Sequence, residues 1–129
     1  MRNGAFTLIE LLITCIILGI LVTIAVPTYN RAVERSKYSQ AIHNLKTLRQ
    51  AELAYFIDTG EFTEDWAALD SVVNAASSEL NSSNDWSYDV ATGTSTFSLT
   101  ATREGSGAHS SQTITLDKND SWTGRDNWE

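Results

Sequence analysis

The chain has 129 residues, which is enough for one small domain and too few for two. Its 16 Asp and Glu residues outnumber its 9 Lys and Arg residues, so no nucleic-acid partner is predicted from charge. The single cysteine, Cys15, excludes an intrachain disulfide.

A long apolar run lies near the start of the chain. It covers residues 6–26, and Glu10 is its only charged residue. About 20 apolar residues in a helix cross the hydrocarbon core of a bilayer, so the run predicts a membrane-spanning helix. A secretory signal peptide has a shorter apolar part that is followed by a small-residue cleavage site. Here the small residues Gly4 and Ala5 come first, so cleavage there would leave the apolar run as the new N-terminus.

The basic residues that flank the run give one indication of its orientation. Arg2 precedes the run, whereas Arg31, Arg35 and Lys37 follow it. Counted alone, these residues would keep the C-terminal part of the chain in the cytoplasm. The motif at the start of the run implies the opposite orientation.

That motif reads Gly4-Ala5-Phe6-Thr7-Leu8-Ile9-Glu10. It closely resembles the processing motif of type IV prepilins and of type II secretion pseudopilins, and the resemblance is strong over residues 1–57. It implies cleavage by a prepilin peptidase before Phe6, methylation of the new amine and export of the C-terminal part. The family usually has Gly immediately before the cut, where this chain has Ala5, so cleavage after Gly4 is the alternative. Cleavage before Phe6 keeps Glu10 fifth in the mature chain, which is the spacing of the family.

Glu10 needs a physical explanation, because a carboxylate at the centre of a bilayer costs on the order of 3 kcal/mol. No Lys or Arg lies within helical reach of it inside the run. The expected partner is the new α-amine of Phe6, from the same chain or from an adjacent subunit of a filament. Because an ion pair in an apolar core tolerates little misplacement, this pair would fix the axial register between subunits. The alternative is a carboxylate that reaches the lipid headgroups.

The helix is predicted to continue beyond the apolar run, over residues 6–58, which is about 80 Å at 1.5 Å per residue. Gly19 and Pro27 fall where the family places a helix-loosening glycine and proline. Pro27 removes one backbone hydrogen bond and Gly19 is a poor helix former, so the segment between them can kink or melt.

The part of the helix after Pro27 is predicted to be amphipathic. Its apolar residues recur three and four positions apart and predict one buried face. They are Tyr38, Ala41, Ile42, Leu45, Leu48, Ala51 and Tyr55. Arg49 and Glu52 are assigned, with the other charged residues, to the remaining faces. Gly60 predicts the end of the helix.

Residues 59–129 are predicted to form a connector and a three-stranded antiparallel sheet. The connector contains a short helix over residues 64–73 and exposed turns at residues 77–78 and 81–84. Apolar residues alternate with polar residues in three segments, which predicts strands with one apolar face. They are Trp86, Tyr88 and Val90, then Phe97, Leu99 and Ala101, then Ile114 and Leu116. The amphipathic half of the helix is expected to cover that face, which gives an α+β fold and is also the pilin fold.

No catalytic set of residues is recognisable, so the chain is not predicted to be an enzyme. His43 and His109 are isolated in the sequence and are expected to be solvated. Residues 117–121 are rich in oxygen ligands, but Trp122 occupies the glycine position of an EF-hand loop. A β-turn is the preferred interpretation, and no metal or cofactor is predicted. A calcium loop, as in the major pseudopilins, is the alternative. Trp122 is expected to pack on the edge of the sheet, and the alternative is an exposed tryptophan that meets a neighbouring subunit or a surface.

These features divide the chain into a leader at residues 1–5, a membrane-spanning and filament-core helix at 6–26, its amphipathic continuation at 27–58 and an exported part at 59–129. The resemblance implies a structural subunit of a type IV pilus, held in the inner membrane until it polymerises through its apolar helix. Its implied partners are identical subunits, prepilin peptidase, the inner-membrane assembly machinery and membrane lipids. One alternative is a type II secretion pseudopilin in a periplasmic filament, and another is a membrane-anchored binding module that never polymerises.

Overall fold

The computed structural model of the chain describes residues 6–73, 80, 85–107 and 109–128. Gly4, Ala5 and the predicted turns at residues 77–78 and 81–84 lie outside the described residues. The chain divides into two compact units, Met1–Ser36 and Lys37–Glu129. Helix α1, Leu8–Thr59, contributes residues to both units.

The start of α1 is set by a side chain. Thr7 lies just before the helix, and its hydroxyl accepts a hydrogen bond from the N–H of Glu10 at 3.3 Å. Its carbonyl accepts a second one from the N–H of Leu11 at 3.2 Å. Because this cap satisfies N–H groups that the helix cannot pair, α1 begins at Leu8 and not at Phe6 as predicted.

The end of α1 is set by Gly60, as predicted. Its φ angle is +81°, and its N–H donates to the carbonyl of Phe56 at 2.8 Å. Glycine is favoured at this position because it adopts a positive φ without a steric penalty from a Cβ. Between the two ends, the 52 residues of α1 stay helical through both Gly19 and Pro27.

The buried side of α1 in the second unit follows the predicted apolar stripe. Ala41, Leu45, Leu48 and Ala51 are all buried in the core of that unit. Glu52 is buried as well, at 0% exposure, so its assignment to a solvent-facing side was wrong. Residue 52 lies one turn beyond Leu48, and residues four apart share a helix face.

A second helix, α2, covers Trp66–Val73. The carboxylate of Asp65 accepts a hydrogen bond from the N–H of Ala67 at 3.0 Å and caps its first turn. This cap explains why α2 begins at Trp66, two residues later than predicted. Leu69 of α2 is buried in the core together with the apolar residues of α1.

The sheet contains the three predicted strands and one more. The strands are β1 (Trp86–Thr92), β2 (Phe97–Arg103), β3 (Thr113–Asp117) and β4 (Trp122–Thr123), and they pair antiparallel in that order. Strand β4 was not predicted, because two residues are too few to show an alternating pattern. Trp122 of β4 pairs with Leu116 at the edge of the sheet, where it was expected to pack.

Register places the apolar residues of the strands on one face. Val90 lies opposite Leu99, and Leu99 lies opposite Leu116, so all three side chains point into the core. The other face carries mainly Thr and Ser side chains. After β4, a 3₁₀ helix at Arg125–Trp128 brings Trp128 into the same core.

Candidate assembly site

The first turn of α1 gives Glu10 a partner within its own chain. The Thr7 hydroxyl lies 3.5 Å from Oε2 of Glu10, and it accepts the hydrogen bond from the Glu10 N–H described above. The order Thr-x-x-Glu is that of a capping box, and the positive end of a helix favours a carboxylate in its first turn. Prediction from the sequence considered only the new α-amine as partner, although the Thr-x-x-Glu spacing was a readable signal.

The large apolar side chains between Phe6 and Val26 have no cover from their own chain. Each of them is about half exposed or more, from 49% for Ile13 to 83% for Leu8. The most apolar 18-residue window of α1 has a mean hydropathy of 2.8, and 0% of it is buried. By length and composition, this part of α1 can cross a membrane. Such a continuous apolar surface requires lipid or other protein chains around it.

Two threonines inside this region and one just after it are hydrogen-bonded to the helix itself. Three hydroxyls donate to carbonyls of the preceding turn, Thr14 to Leu11 at 2.8 Å, Thr23 to Ile20 at 2.6 Å and Thr28 to Ile24 at 3.0 Å. Hydroxyls bonded in this way can lie in an apolar environment without an unpaired donor. The thiol of Cys15 is exposed with the apolar side chains around it.

Pro27 lies in the middle of α1 and leaves one carbonyl without its helical donor. A proline has no N–H, so the hydrogen bond from residue 27 to the carbonyl of Thr23 cannot form. Gly19 has no neighbouring atom within 4 Å of the position where a Cβ would stand. The absence of a side chain at Gly19 therefore does not accommodate any other described group of this chain. Helix α1 is nevertheless continuous through both residues, and loosening of the segment between them stays a prediction.

Glu52 is a buried carboxylic acid of the second unit. Its Oε2 accepts a hydrogen bond from the N–H of Thr63 at 3.3 Å, while its Oε1 is buried and has no hydrogen-bond partner among the described residues. Burial raises the pKa of Glu52 to about 6; the hydrogen bond from Thr63 acts against this rise, and the negative charge of Glu64 adds to it. Glu52 therefore joins α1 to the connector that precedes α2, and it does so with a carboxyl group that is costly to ionise.

Basic side chains of the second unit are engaged within the chain. Lys37 forms an ion pair with Asp85 at 2.7 Å, and Arg103, which is 8% exposed, approaches the same carboxylate at 3.3 Å. Arg49 donates two hydrogen bonds, at 3.2 and 3.0 Å, to the carbonyl of Lys118. These contacts hold α1 to the sheet.

His109 lies in a packed aromatic cluster and is not simply solvated, so the prediction for this residue was wrong. Its ring stacks on Trp128 with 4.3 Å between centroids, and its Nδ1 lies 2.9 Å from Oε1 of Gln112. Trp128 also contacts Tyr38 at 5.6 Å and Trp86 at 5.2 Å between ring centroids. No local signal in the sequence brings these four aromatic residues together, because they come from four distant segments. His43, in contrast, is exposed as expected.

The oxygen-rich loop at residues 117–121 is a hairpin turn between β3 and β4. The carboxylate of Asp117 accepts hydrogen bonds from the N–H groups of Asn119 and Ser121, both at 2.8 Å. The N–H of Asp120 bonds to the carbonyl of Asp117 at 3.2 Å, and Asp120 has a φ of +65°. The Asp117 side chain therefore stabilises the turn itself, which is the role that Asp commonly has in turns.

Two sequence families match the chain. The family described as type IV minor pilin ComP, DNA uptake sequence receptor, matches residues 27–115, and the prokaryotic N-terminal methylation motif matches residues 1–26. The first match covers more than half of the chain. The chain belongs to the type IV pilin family. Its long helix on a small antiparallel sheet is the predicted α+β pilin fold, which is thereby confirmed.

The pilin has relatives among pilus and secretion proteins. It is 43% identical over 63 residues to the type IV major pilin protein PilA of Myxococcus xanthus, a match that covers 49% of the chain and 29% of the relative. It is 30% identical over 89 residues to the type II secretion system core protein G of Aeromonas hydrophila, covering 67% of the chain and 62% of the relative. The match to the fimbrial protein EcpC of Eikenella corrodens is 43% over 63 residues, covering 49% and 41%. The pilin thus spans less than two thirds of each of these relatives.

Proposed function

We propose that the chain is a structural subunit of a type IV pilus, which polymerises through the apolar helix at residues 6–26. The observation that carries this proposal is the uncovered apolar surface of α1. In the membrane, lipid covers this surface; in a filament, the same segments of neighbouring subunits cover one another. The family to which the chain belongs supports this proposal over an anchor that never polymerises.

The proposed route begins with cleavage before Phe6 by a prepilin peptidase and methylation of the new amine. The subunit waits in the inner membrane with its C-terminal domain exported and then enters the filament. During assembly the Phe6 amine pairs with Glu10 of an adjacent subunit, which sets the axial register. The segment between Gly19 and Pro27 loosens as the subunits pack. The match of residues 1–26 to the methylation motif supports the processing step.

The processing step is tested by the intact mass of the protein purified from its native membrane. We expect the mass of residues 6–129 with one added methyl group. A mass that corresponds to residues 5–129 would place the cut after Gly4, and an uncleaved chain would contradict the proposed route.

The polymerisation step is tested by electron microscopy of fibres sheared from cells, followed by mass spectrometry of their subunits. We expect thin filaments that contain this chain. Cells from which the gene has been deleted, and which retain the assembly machinery, provide the control. Absence of the chain from all filaments, with normal amounts in the membrane, would favour the non-polymerising anchor.

A type II secretion pseudopilin is the second candidate, because the alignment with the core protein G covers 67% of the chain. The two candidates differ in the position of the filament, which is outside the cell for a pilus and in the periplasm for a pseudopilus. Recovery of the chain only from the periplasm, together with a loss of protein secretion when it is deleted, would favour the pseudopilin.

DNA is not among the proposed partners, although the family description names a DNA uptake sequence receptor. The formal net charge is −7, and Lys37, Arg49 and Arg103 are engaged within the chain. Arg31 and Arg35 are exposed, but two cations offer few phosphate contacts. Binding to DNA relies on free cations that neutralise phosphates. We expect no salt-dependent binding of the detergent-solubilised chain to a DNA duplex, measured by fluorescence anisotropy at physiological salt.

A further inference from the structure

Two arginines on α1 have no partner within the described chain. Arg31 and Arg35 are both exposed and lie four residues apart, so they share one side of the helix. Neither forms a hydrogen bond or an ion pair with another residue that the structure describes. Other exported cations differ in this respect, since Lys37 pairs with Asp85 and Arg125 donates to the hydroxyl of Tyr38 at 3.1 Å.

Two carboxylates at the C-terminal end of α1 are also without partners. Asp58 and Glu61 are exposed, and neither carboxylate accepts a hydrogen bond from the described residues. The neighbouring acids are already engaged, because Glu64 accepts from the N–H of Thr92 at 3.0 Å and Asp65 caps α2. No Lys or Arg occurs in the sequence between residues 50 and 102. Lys118 approaches this end from the turn after β3, where its ammonium group lies over the rings of Phe56 and Phe62 and donates to the carbonyl of Ser95 at 2.9 Å.

An exposed apolar side chain accompanies these carboxylates. Ile57 is 81% exposed. It precedes Asp58 directly in α1, so the C-terminal end of the helix offers one apolar contact and two negative charges. A partner that suits it would bring positive charge on a surface that is partly apolar. The helix around Arg31 has this character, since it follows directly on the apolar segment and carries the exposed ring of Tyr29.

We propose that Arg31 and Arg35 of one copy of this chain pair with Asp58 and Glu61 of a second copy in the filament. This inference rests on the proposed function, because it requires subunits that polymerise through the adjoining apolar helix. Parallel subunits that are staggered along the filament axis bring the basic part of one α1 beside the acidic end of another. The opposite charges then select that stagger over others, in which like charges would meet. Ile57 of the second copy packs against the apolar side of the first.

The pairing is tested by exchange of the charges. One variant carries Arg31→Glu and Arg35→Glu, a second carries Asp58→Lys and Glu61→Lys, and a third carries all four changes. Because each partial exchange places like charges opposite each other, we expect sheared filaments to fall about tenfold relative to the membrane pool in the first two variants. The third variant should recover most of the filaments. Lys46→Glu and Asp89→Lys, two exposed positions outside the proposed contact, are the controls and should assemble normally.

Cross-linking provides a measurement that does not depend on charge reversal. With Arg35→Cys and Asp58→Cys in one chain and Cys15→Ser to remove the native thiol, oxidation of intact filaments should give a ladder of covalently linked subunits. The chain with only one of the two new cysteines should give no product larger than a dimer.

The outcomes separate this inference from the proposed function. If the wild-type chain forms no filaments, the proposed function is wrong, and the proposed pairing is wrong as well. If wild-type filaments form and the reversal variants assemble equally well, the pairing alone is wrong. If the four-fold exchange restores nothing and no ladder appears, the arginines act on another group, such as lipid phosphates, and the pairing is again wrong.

Discussion

At the scale of single residues, Glu52 links the stability of the second unit to pH. Its carboxyl group is fully buried, one of its oxygens has a single hydrogen bond from Thr63, and the other has none from the described chain. Burial of this kind disfavours the ionised form and raises the pKa of the carboxyl group. The folded domain therefore holds a proton that the unfolded chain releases at lower pH.

The raised pKa of Glu52 predicts how stability changes with pH. The pKa is about 6 in the folded chain against 4.5 for the unperturbed group, so the stabilising effect of the proton is full below pH 4.5 and is lost as the pH rises through 6. Over this window Glu52 should lower the free energy of unfolding by about 2 kcal/mol. Glu52→Gln, which mimics the protonated form, should remove this dependence and stabilise the chain at pH 7. Chemical denaturation in detergent micelles at several pH values measures both effects.

The matched control for Glu52 is Glu61→Gln, because Glu61 is exposed. In this variant, the difference in the free energy of unfolding between pH 4.5 and pH 7 should equal that of the wild-type chain. A Glu52→Gln variant with the wild-type pH dependence would show that the Glu52 carboxylate is solvated in the folded chain.

His109 gives a second prediction at this scale. His109→Ala removes the ring that stacks on Trp128, and it should cost about 1 kcal/mol of the free energy of unfolding. His43→Ala is the control, since His43 is an exposed helix residue and its removal should change little. Thermal melts of the two variants, followed by tryptophan fluorescence, make the comparison. Equal melting temperatures for both would mean that the loop around His109 does not pack on Trp128.

At the scale of elements, the sequence predicted those parts of the fold that show a regular period. The helix stripe through Leu45 and Leu48 and the alternation through Leu99 and Leu116 both repeat often enough to be recognised, and both are buried as expected. Strand β4 is only two residues long, so its pairing depends on the turn before it and not on any pattern. For the candidate site, the apolar run and Glu10 were readable from the sequence. The burial of Glu52 was not predicted. Its position four residues after Leu48 matches the buried stripe, but its charged side chain led to its assignment to another face.

The turn after β4 gives a testable prediction about the pairing of β4 with β3. Gly124 has a φ of +78°, and a Cβ at this position would lie 2.1 Å from the carbonyl oxygen of Thr113. Gly124→Ala should therefore force β4 away from β3 and cost at least about 2 kcal/mol of the free energy of unfolding. Gly60 has a similar φ of +81° with open space around it, so Gly60→Ala should cost only about 1 kcal/mol. Denaturant titration of both variants measures the free energy of unfolding that each one loses. Because only Gly124→Ala adds a steric clash to the backbone strain, equal losses would contradict the clash.

At the scale of the whole molecule, most of the large apolar side chains in the first unit are at least half exposed, whereas the second unit has its own core. The second unit thus has a core of its own, whereas the apolar side chains of the first need lipid or other protein chains around them. Under the proposed function, changes in the core of the second unit should affect stability, and changes in the first should affect assembly.

Glu10→Ala tests this division. Removal of the carboxylate makes the segment more apolar, so insertion into the membrane and cleavage should be unchanged, while the amount of filament should fall strongly. Glu10→Gln is the matched variant, since it keeps the size and the capping position but not the charge. The ratio of sheared filament to membrane pool is the measurement. If both variants assembled at the wild-type level, an ion pair at this position would not be what sets the register.

Thr14 and Thr23 inside the apolar segment, and Thr28 just after it, have a consequence for what can surround the segment. Because all three return their hydroxyls to their own backbone, none of them presents an unpaired donor to its surroundings. Lipid and the apolar side chains of another chain can therefore surround this segment equally, because neither has to supply a hydrogen-bond acceptor to these hydroxyls. Glu10 is the only charged residue between residues 6 and 26, so it is the one charge in this segment that its surroundings have to accommodate.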